Sequence, residues 1–331
     1  MSIRGGAMRL LVLGIAACAS GAVPSLRSDW TMPPNCTPFA PVRVKDLKEE
    51  LRQTGYRLVI AIHPEKGDEK KGYPPRDLFV VNAEGTGLTR LTDTPEKDEH
   101  VPRTSPDGKW FTFNYGDYLV DVRTLKIVDE PIYSGYAWTP DSKRTLHCDK
   151  RGLVYTDVRT GMRSEPISVP QRVSVADLSF DGKWVIFEIR NFRGKKYTVD
   201  FMSVDGGEIR KMPNHPKGSG ECHPHFSPDG KWMCWNAGGS LAVRRFDPAL
   251  PEGTDGKVVT LPGDRLGQDP CGRWSHCGRY VAYVRIPHKG SWKVHSPLCI
   301  VRVADGATVV ISPPGWVGHH WDYDWLPPAD E

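Results

Sequence analysis

A short motif repeats along the chain and constrains its fold more than any other feature. Ser105-Pro106-Asp107-Gly108-Lys109-Trp110 recurs as Thr139-Pro140-Asp141-Ser142-Lys143-Arg144, as Ser179-Phe180-Asp181-Gly182-Lys183-Trp184 and as Ser227-Pro228-Asp229-Gly230-Lys231-Trp232. A degraded copy is Ser275-His276-Cys277-Gly278-Arg279-Tyr280. Successive copies start 34, 40, 48 and 48 residues apart. Pro presets φ for a turn, Asp bonds back to nearby N–H groups, and Gly accepts φ > 0. The motif therefore predicts a tight connection between antiparallel strands. Strand-like segments follow it, such as Trp110-Phe111-Thr112-Phe113 and Tyr280-Val281-Ala282-Tyr283. The aspartates and lysines of the motif read as turn chemistry and a solvated edge.

The spacing suits a four-stranded blade, and the ends indicate how the blades close. Arg57 to Ile62 reads as a second strand with no first strand before it. Residues 321–327 (WDYDWLP) read as a first strand with nothing after it. One blade is split between the termini, which removes two exposed sheet edges. Inner strands precede Ser105, Thr139, Ser179, Ser227 and Ser275, and the C-terminal strand is the sixth. The expectation is an all-β, six-bladed propeller over residues 57–327, about 45 residues per blade, with a tail at 328–331. The 33 Gly and 29 Pro are then turn residues, and 39% hydrophobic side chains supply the cores and exclude disorder. Lys and Arg number 44 against 40 Asp and Glu, so charge gives no argument for nucleic acid.

Arg4 and Arg9 precede the apolar run Leu10 to Cys18, which is followed by small residues. This is the pattern of an export leader over residues 1–22, too short to remain as a membrane span. Ile15-Ala16-Ala17-Cys18 also resembles a lipobox, with Cys18 the lipidated residue. Both readings stand, a discarded Cys18 and a lipid tether. Residues 23–56 read as a Pro-rich linker and one short helix, Val44 to Gln53, stopped by Gly55. Export permits disulfides. Cys148, Cys234 and Cys299 sit in strand-like runs and read as buried thiols, and Cys222–Cys271 is the favoured bridge.

Asp77 to Thr92 (DLFVVNAEGTGLTRLT), Glu99-His100-Val101-Pro102 and Ser105-Pro106-Asp107-Gly108-Lys109 together resemble the TolB-type propeller repeat, also called the WD40-like or PD40 repeat. The resemblance covers about residues 57–327 and implies the fold; it is much less specific for function. TolB carries an α/β domain ahead of its propeller, which the short segment here does not match. Prolyl oligopeptidase-type enzymes add a hydrolase domain with a Gly-x-Ser-x-Gly elbow, which is missing from the sequence, so serine peptidase activity is not expected.

A propeller gathers its inner strands around one channel. Two places before each turn serine stand Arg103, Ala137, Asp177, His225, Arg273 and, with Leu326 as the reference, Asp324. Four places before stand Val101, Gly135, Val175, His223, Cys271 and Asp322. Alternation along a strand puts both sets on one face. Thr104, Trp138, Leu178, Phe226, Trp274 and Trp325 lie one place before and read as packing between blades. Arg103, Asp177, His223, His225, Arg273, Asp322 and Asp324 are therefore the candidate ligand-binding residues of the channel. One account is a plug in which Asp177 and Asp324 neutralise the two arginines. The other is a site for a polar ligand such as a sugar acid.

His223-Pro224-His225 places two imidazoles near Glu221, His100, His319, His320, Asp322 and Asp324, donors that suit Zn or Mn. Cys222 to Gly230 (CHPHFSPDG) resembles the propeller pattern of oligogalacturonate lyases, which implies manganese held by histidines. The remaining histidines, His276 included, read as structural. Trp292 and Trp316 read either as a partner or glycan surface or as packing. The favoured reading is a monomeric, non-enzymatic, periplasmic propeller without cofactor. It binds a protein partner or a polar or carbohydrate ligand in the cell envelope, and touches a membrane only through a lipid on Cys18. The alternative is a Mn- or Zn-dependent carbohydrate lyase or hydrolase using His223 and His225.

Overall fold

The computed structural model describes residues 42–63, 74–129, 137–169, 173–191, 196–212, 221–237, 240–250, 253–254, 258–260, 271–285, 297–312, 316 and 322–329. The leader, Cys18, most of the linker, His319, His320 and Trp292 lie outside these residues. The first blade contains β1 (Arg57–Ile62), β2 (Asp77–Asn82) and β3 (Thr89–Arg90). The second contains β4 (Arg103–Thr104), β5 (Trp110–Phe113), β6 (Tyr118–Asp121) and β7 (Lys126–Asp129). The third contains β8 (Ala137–Trp138), β9 (Arg144–Cys148) and β10 (Leu153–Asp157), with bridges Leu153–Ile167 and Thr156–Arg163 in place of an outer strand. The fourth runs β11 (Ser174–Leu178), β12 (Trp184–Asn191), β13 (Lys196–Ser203) and β14 (Arg210–Lys211). The fifth runs β15 (Glu221–Phe226), β16 (Trp232–Ala237), β17 (Leu241–Arg245) and β18 (Val258–Thr260). The sixth runs β19 (Arg273–Trp274), β20 (Tyr280–Val284), β21 (Leu298–Arg302) and β22 (Thr308–Val310), and β23 (Tyr323–Leu326) ends the series.

All pairings within the sheets are antiparallel, and β23 completes the first blade in the order β23-β1-β2-β3. Its register against β1 places Arg57 opposite Leu326, Leu58 opposite Trp325, Val59 opposite Asp324 and Ile60 opposite Tyr323. The expected split blade is therefore present, and six sheets form the ring.

The turn motif does what its residues dictate. Ser105 Oγ donates to Asp107 Oδ1 at 2.7 Å and accepts from Trp110 N–H at 3.1 Å, while Lys109 N–H donates to the same carboxylate at 3.1 Å. Thr139 and Asp141 repeat this pattern, as do Ser179 and Asp181. In the degraded copy Cys277 replaces the Asp, and Ser275 Oγ still accepts from Tyr280 N–H at 3.2 Å. Gly108, Gly182, Gly230 and Gly278 all have φ near +68°. In the third copy Ser142 takes φ +56°, and its hydroxyl accepts from Asp107 N–H of the neighbouring blade at 3.0 Å.

Apolar side chains fill every seam between neighbouring blades. Val59, Leu78, Phe111 and Val120 join the first and second. Leu119 and Trp138 join the second and third. Leu146, Tyr155, Val185 and Phe187 join the third and fourth, and Phe201, Phe226 and Trp235 the fourth and fifth. Val243, Trp274, Tyr283 and Val301 join the fifth and sixth. Leu58, Ile60, Tyr280, Ile300, Tyr323 and Trp325 close the ring between the sixth and first. Of the two readings for Trp316, packing is the one observed: it is 3% exposed, because its indole completes this last cluster and packs edge-on to Tyr323.

The helix α1 (Leu47–Thr54) starts later than its sequence pattern suggests, because Asp46 caps it. The Asp46 carboxylate accepts from Lys48 N–H at 2.9 Å and Glu49 N–H at 3.3 Å. Gly55 ends the helix at φ +67°. Leu47 and Leu51 enter the sixth-to-first cluster, so the helix covers the seam where the ring closes. Glu50, 5% exposed, accepts from Tyr280 Oη at 2.7 Å, pairs with Arg279 at 2.6 Å and also pairs with Arg302. Arg302, 1% exposed, further binds Asp305 at 2.8 Å and the Val44 carbonyl at 2.6 Å. Replacing Glu50 by Ala strands part of this buried charge. Glu50→Ala is expected to lose about 3 kcal/mol in urea unfolding, whereas Lys48→Ala on the exposed face should stay within about 0.5 kcal/mol. Equal effects of the two substitutions would refute the pinning role.

Candidate functional site

The inner strands converge on a cavity of about 160 Å³ at the mouth of the channel where the motif turns lie. All six blades contribute to it: Arg103 to Pro106, Trp138 and Pro140, Asp177 to Phe180, His225 to Pro228, Arg273, Trp274 and His276, and Asp324. Five of the seven candidate residues, Arg103, Asp177, His225, Arg273 and Asp324, therefore share this wall.

His223 and Asp322 do not line this cavity. The simple alternation expected for the inner strands is broken by a bulge in β15, where Cys222 faces Asn236 but His225 faces Cys234. His223 sits at φ +56° within it, and Val101 holds the matching position at φ +52°. The bulge re-aims the His223 ring toward Glu188 of the fourth blade, at 3.1 Å. The two histidines accordingly do not present one face, contrary to the expectation from period two. Asp322, fully buried, pairs with Arg76 and accepts weakly from Val101 N–H at 3.4 Å, which makes it a tie between blades.

Neighbouring inner strands are tied side chain to backbone. Trp138 Nε1 donates to the Arg103 carbonyl at 2.9 Å, Trp274 Nε1 to that of His225 at 3.1 Å, and Trp325 Nε1 to that of Arg273 at 2.8 Å. Asp177 accepts from Leu178 N–H at 2.8 Å and from Phe226 N–H of the next blade at 3.0 Å. Asp324 accepts from Trp325 N–H at 2.9 Å and Thr104 N–H at 2.8 Å in the same way. The two aspartates thus bond to amides, and Asp177 Oδ2 also lies 3.5 Å from His225 Nδ1. They do not clamp the arginines as the plug account expects, and they act on Arg273 only as nearby charges.

Arg273 instead meets His225: its Nη1 lies 2.8 Å from Nδ1 and also approaches Nε2. Burial, Arg273 and Arg103 together hold the His225 imidazole well below its usual titration range, so the ring is neutral at pH 7. Cys271 is a buried free thiol 3.9 Å from His225 Nε2. The expected Cys222–Cys271 bridge is therefore not formed: the Cys271 thiol turns to the imidazole instead. Cys234 and Cys299 are buried free thiols, as expected, and Cys148 is a half-buried one.

Among the described residues no group of three or more His, Cys, Asp and Glu side chains is placed to hold a metal ion. The chemistry at His225 agrees, since a guanidinium occupies the space beside its ring nitrogens and a divalent cation there would face like charge. The described residues do not fit the manganese implied by the lyase resemblance. His276, structural by its sequence pattern, lines the cavity. Its place after Ser275 is the signal, since Pro106, Pro140 and Pro228 hold that place in other copies and line the mouth.

The chain resembles TolB from Acinetobacter baumannii with a TM-score of 0.59 at 18% identity, covering 82% of this chain and 66% of that one. For a TolB from Agrobacterium tumefaciens the TM-score is 0.55 at 17% identity, covering 78% and 89%. A chain of a nidogen/laminin complex gives 0.55 at 11% identity, covering 83% and 100%. The fold is that of a TolB-like six-bladed β-propeller. No family model matches the chain. It is 30% identical over 155 residues to YuxL of Bacillus subtilis (strain 168), an uncharacterized peptidase; the match spans 43% of this chain and 22% of that protein.

Burial raises the Asp177 carboxyl to about 6 against the pull of its two amide bonds and of Arg273. A carboxyl that holds its proton more tightly folded than unfolded makes the folded state lose stability as pH rises from about 4 to about 6. Asn at this position keeps an acceptor oxygen and carries no charge. Relative to the wild type, Asp177→Asn should gain about 1–3 kcal/mol between pH 4 and pH 7. The lower end reflects the quarter of the side chain that reaches solvent. Urea unfolding at both pH values checks this, and a difference that does not change with pH would refute it.

Proposed function

We propose that the chain is an exported, non-enzymatic binding propeller of the cell envelope that captures a protein segment or polar ligand at the turn-side mouth of its channel. The cavity carries this reading. Every blade contributes to it, and its wall combines charged groups with Trp138, Phe180, Phe226 and Trp274. Such a mixture suits recognition, in which polar groups orient a ligand and aromatic surface holds it. The side chain-to-backbone ties keep the wall rigid, so little ordering cost falls on binding.

Export is supported by the basic, apolar and small-residue pattern of residues 1–22, with the lipid on Cys18 as the finer alternative. The TolB-like fold is consistent with a periplasmic module. The nidogen/laminin complex is an instance of this ring shape in a protein assembly. Peptidase activity is not carried over from YuxL. The cavity serines are engaged in their turns, where Ser105, Ser179 and Ser227 donate to Asp107, Asp181 and Asp229.

Site-specific crosslinking in the native host tests the reading. Phe180 replaced by p-benzoylphenylalanine conserves the aromatic wall, and the same replacement at Val128 reports on the exposed outer strand β7. A discrete adduct from position 180 and none from 128 is expected. Adducts only from position 128 would move the binding surface off the mouth.

A further inference from the structure

We infer that the turn-side mouth receives a carboxylate on an apolar body, as at an acidic peptide terminus, with Arg273 as its primary contact and Arg103 beside it. This rests on the reading of the mouth as a binding surface. Arg273 carries the argument. Its side chain lines the cavity and is only 5% exposed. A guanidinium has five N–H donors and a permanent charge. Here Nη1 meets His225, while Nε has no hydrogen-bond partner among the described residues.

The neighbours do not offset this charge at contact distance. Asp177 and Asp324 direct their oxygens to Leu178, Phe226, Thr104 and Trp325 amides. His225 is a neutral ring. A buried cation without a contacting anion is costly, and an entering carboxylate supplies the missing partner with matched, two-pronged geometry. The same two aspartates disfavour a dianion such as phosphate, because their carboxylates line the same mouth. The rest of the wall decides what bears the carboxylate. Trp138, Phe180, Phe226, Trp274 and the prolines offer apolar and aromatic surface, which favours a peptide side chain over a hydroxyl-covered sugar.

Isothermal titration of the purified chain tests this with three probes: N-acetyl-phenylalanine, its uncharged primary amide, and glucuronate. N-acetyl-phenylalanine should saturate in the millimolar range, and the amide should bind at least about tenfold more weakly. Arg273→Met, which keeps volume and removes the charge, should lose about tenfold or more in affinity for the acid, and Arg273→Lys should recover part of it. Should the Met variant fail to fold, the Arg273 Nε–H resonance of the wild type replaces it, and must shift with the acid and not with the amide. Equal binding of acid and amide, tighter binding of glucuronate, no saturation, or full affinity in folded Arg273→Met would each overturn the inference. Crosslinked partner at Phe180 without carboxylate binding would overturn this inference alone. Carboxylate binding without a crosslinked partner would overturn the proposed function alone.

Discussion

The pairing of β23 with β1 is the constraint on which the rest of the structure depends. Four residues of the tail, Tyr323 to Leu326, complete a sheet whose other strands belong to the head of the chain. Without that pairing β1 would be an open edge, and the core shared by the sixth and first blades would lose Tyr323 and Trp325. The helix α1 reinforces this seam rather than decorating it. Its Leu47 and Leu51 enter the closing cluster, and Glu50 ties it to Tyr280, Arg279 and Arg302 of the sixth blade.

Closure sets the geometry of the mouth. Each inner strand is held to a neighbour in one of two ways. Where a Trp precedes the turn, as at 138, 274 and 325, its indole N–H reaches back to a carbonyl of the previous blade. Where an Asp stands one place earlier, as at 177 and 324, its carboxylate reaches forward to an amide of the next. These bonds lie in low-dielectric surroundings, where satisfied polar groups rigidify and unsatisfied ones are costly. Using the aspartates as braces leaves Arg273 without a carboxylate at contact distance, so a structural need of the ring creates the polarity of its mouth.

Much of this was legible beforehand. The motif turn follows from the local chemistry of Ser, Pro, Asp and Gly, and local chemistry is what a sequence states directly. The layer at Arg103, Asp177, His225, Arg273 and Asp324 was also legible, because equivalent positions of a repeat occupy equivalent places around an axis. The pairing of His223 with His225 failed for a physical reason. A bulge inserts one extra residue, and alternation then no longer predicts the face. Asp322 failed for another, since its partner Arg76 lies 246 residues away in sequence.

The sequence by itself determined the number of blades, the turn that builds each one, and the splitting of one blade between the ends. Those features are periodic or local, and period and turn chemistry need no partner. Only the tertiary structure decided which acid bonds to an amide and which base is left without one. That choice depends on distances between side chains of different blades, and these exist only after the ring has closed.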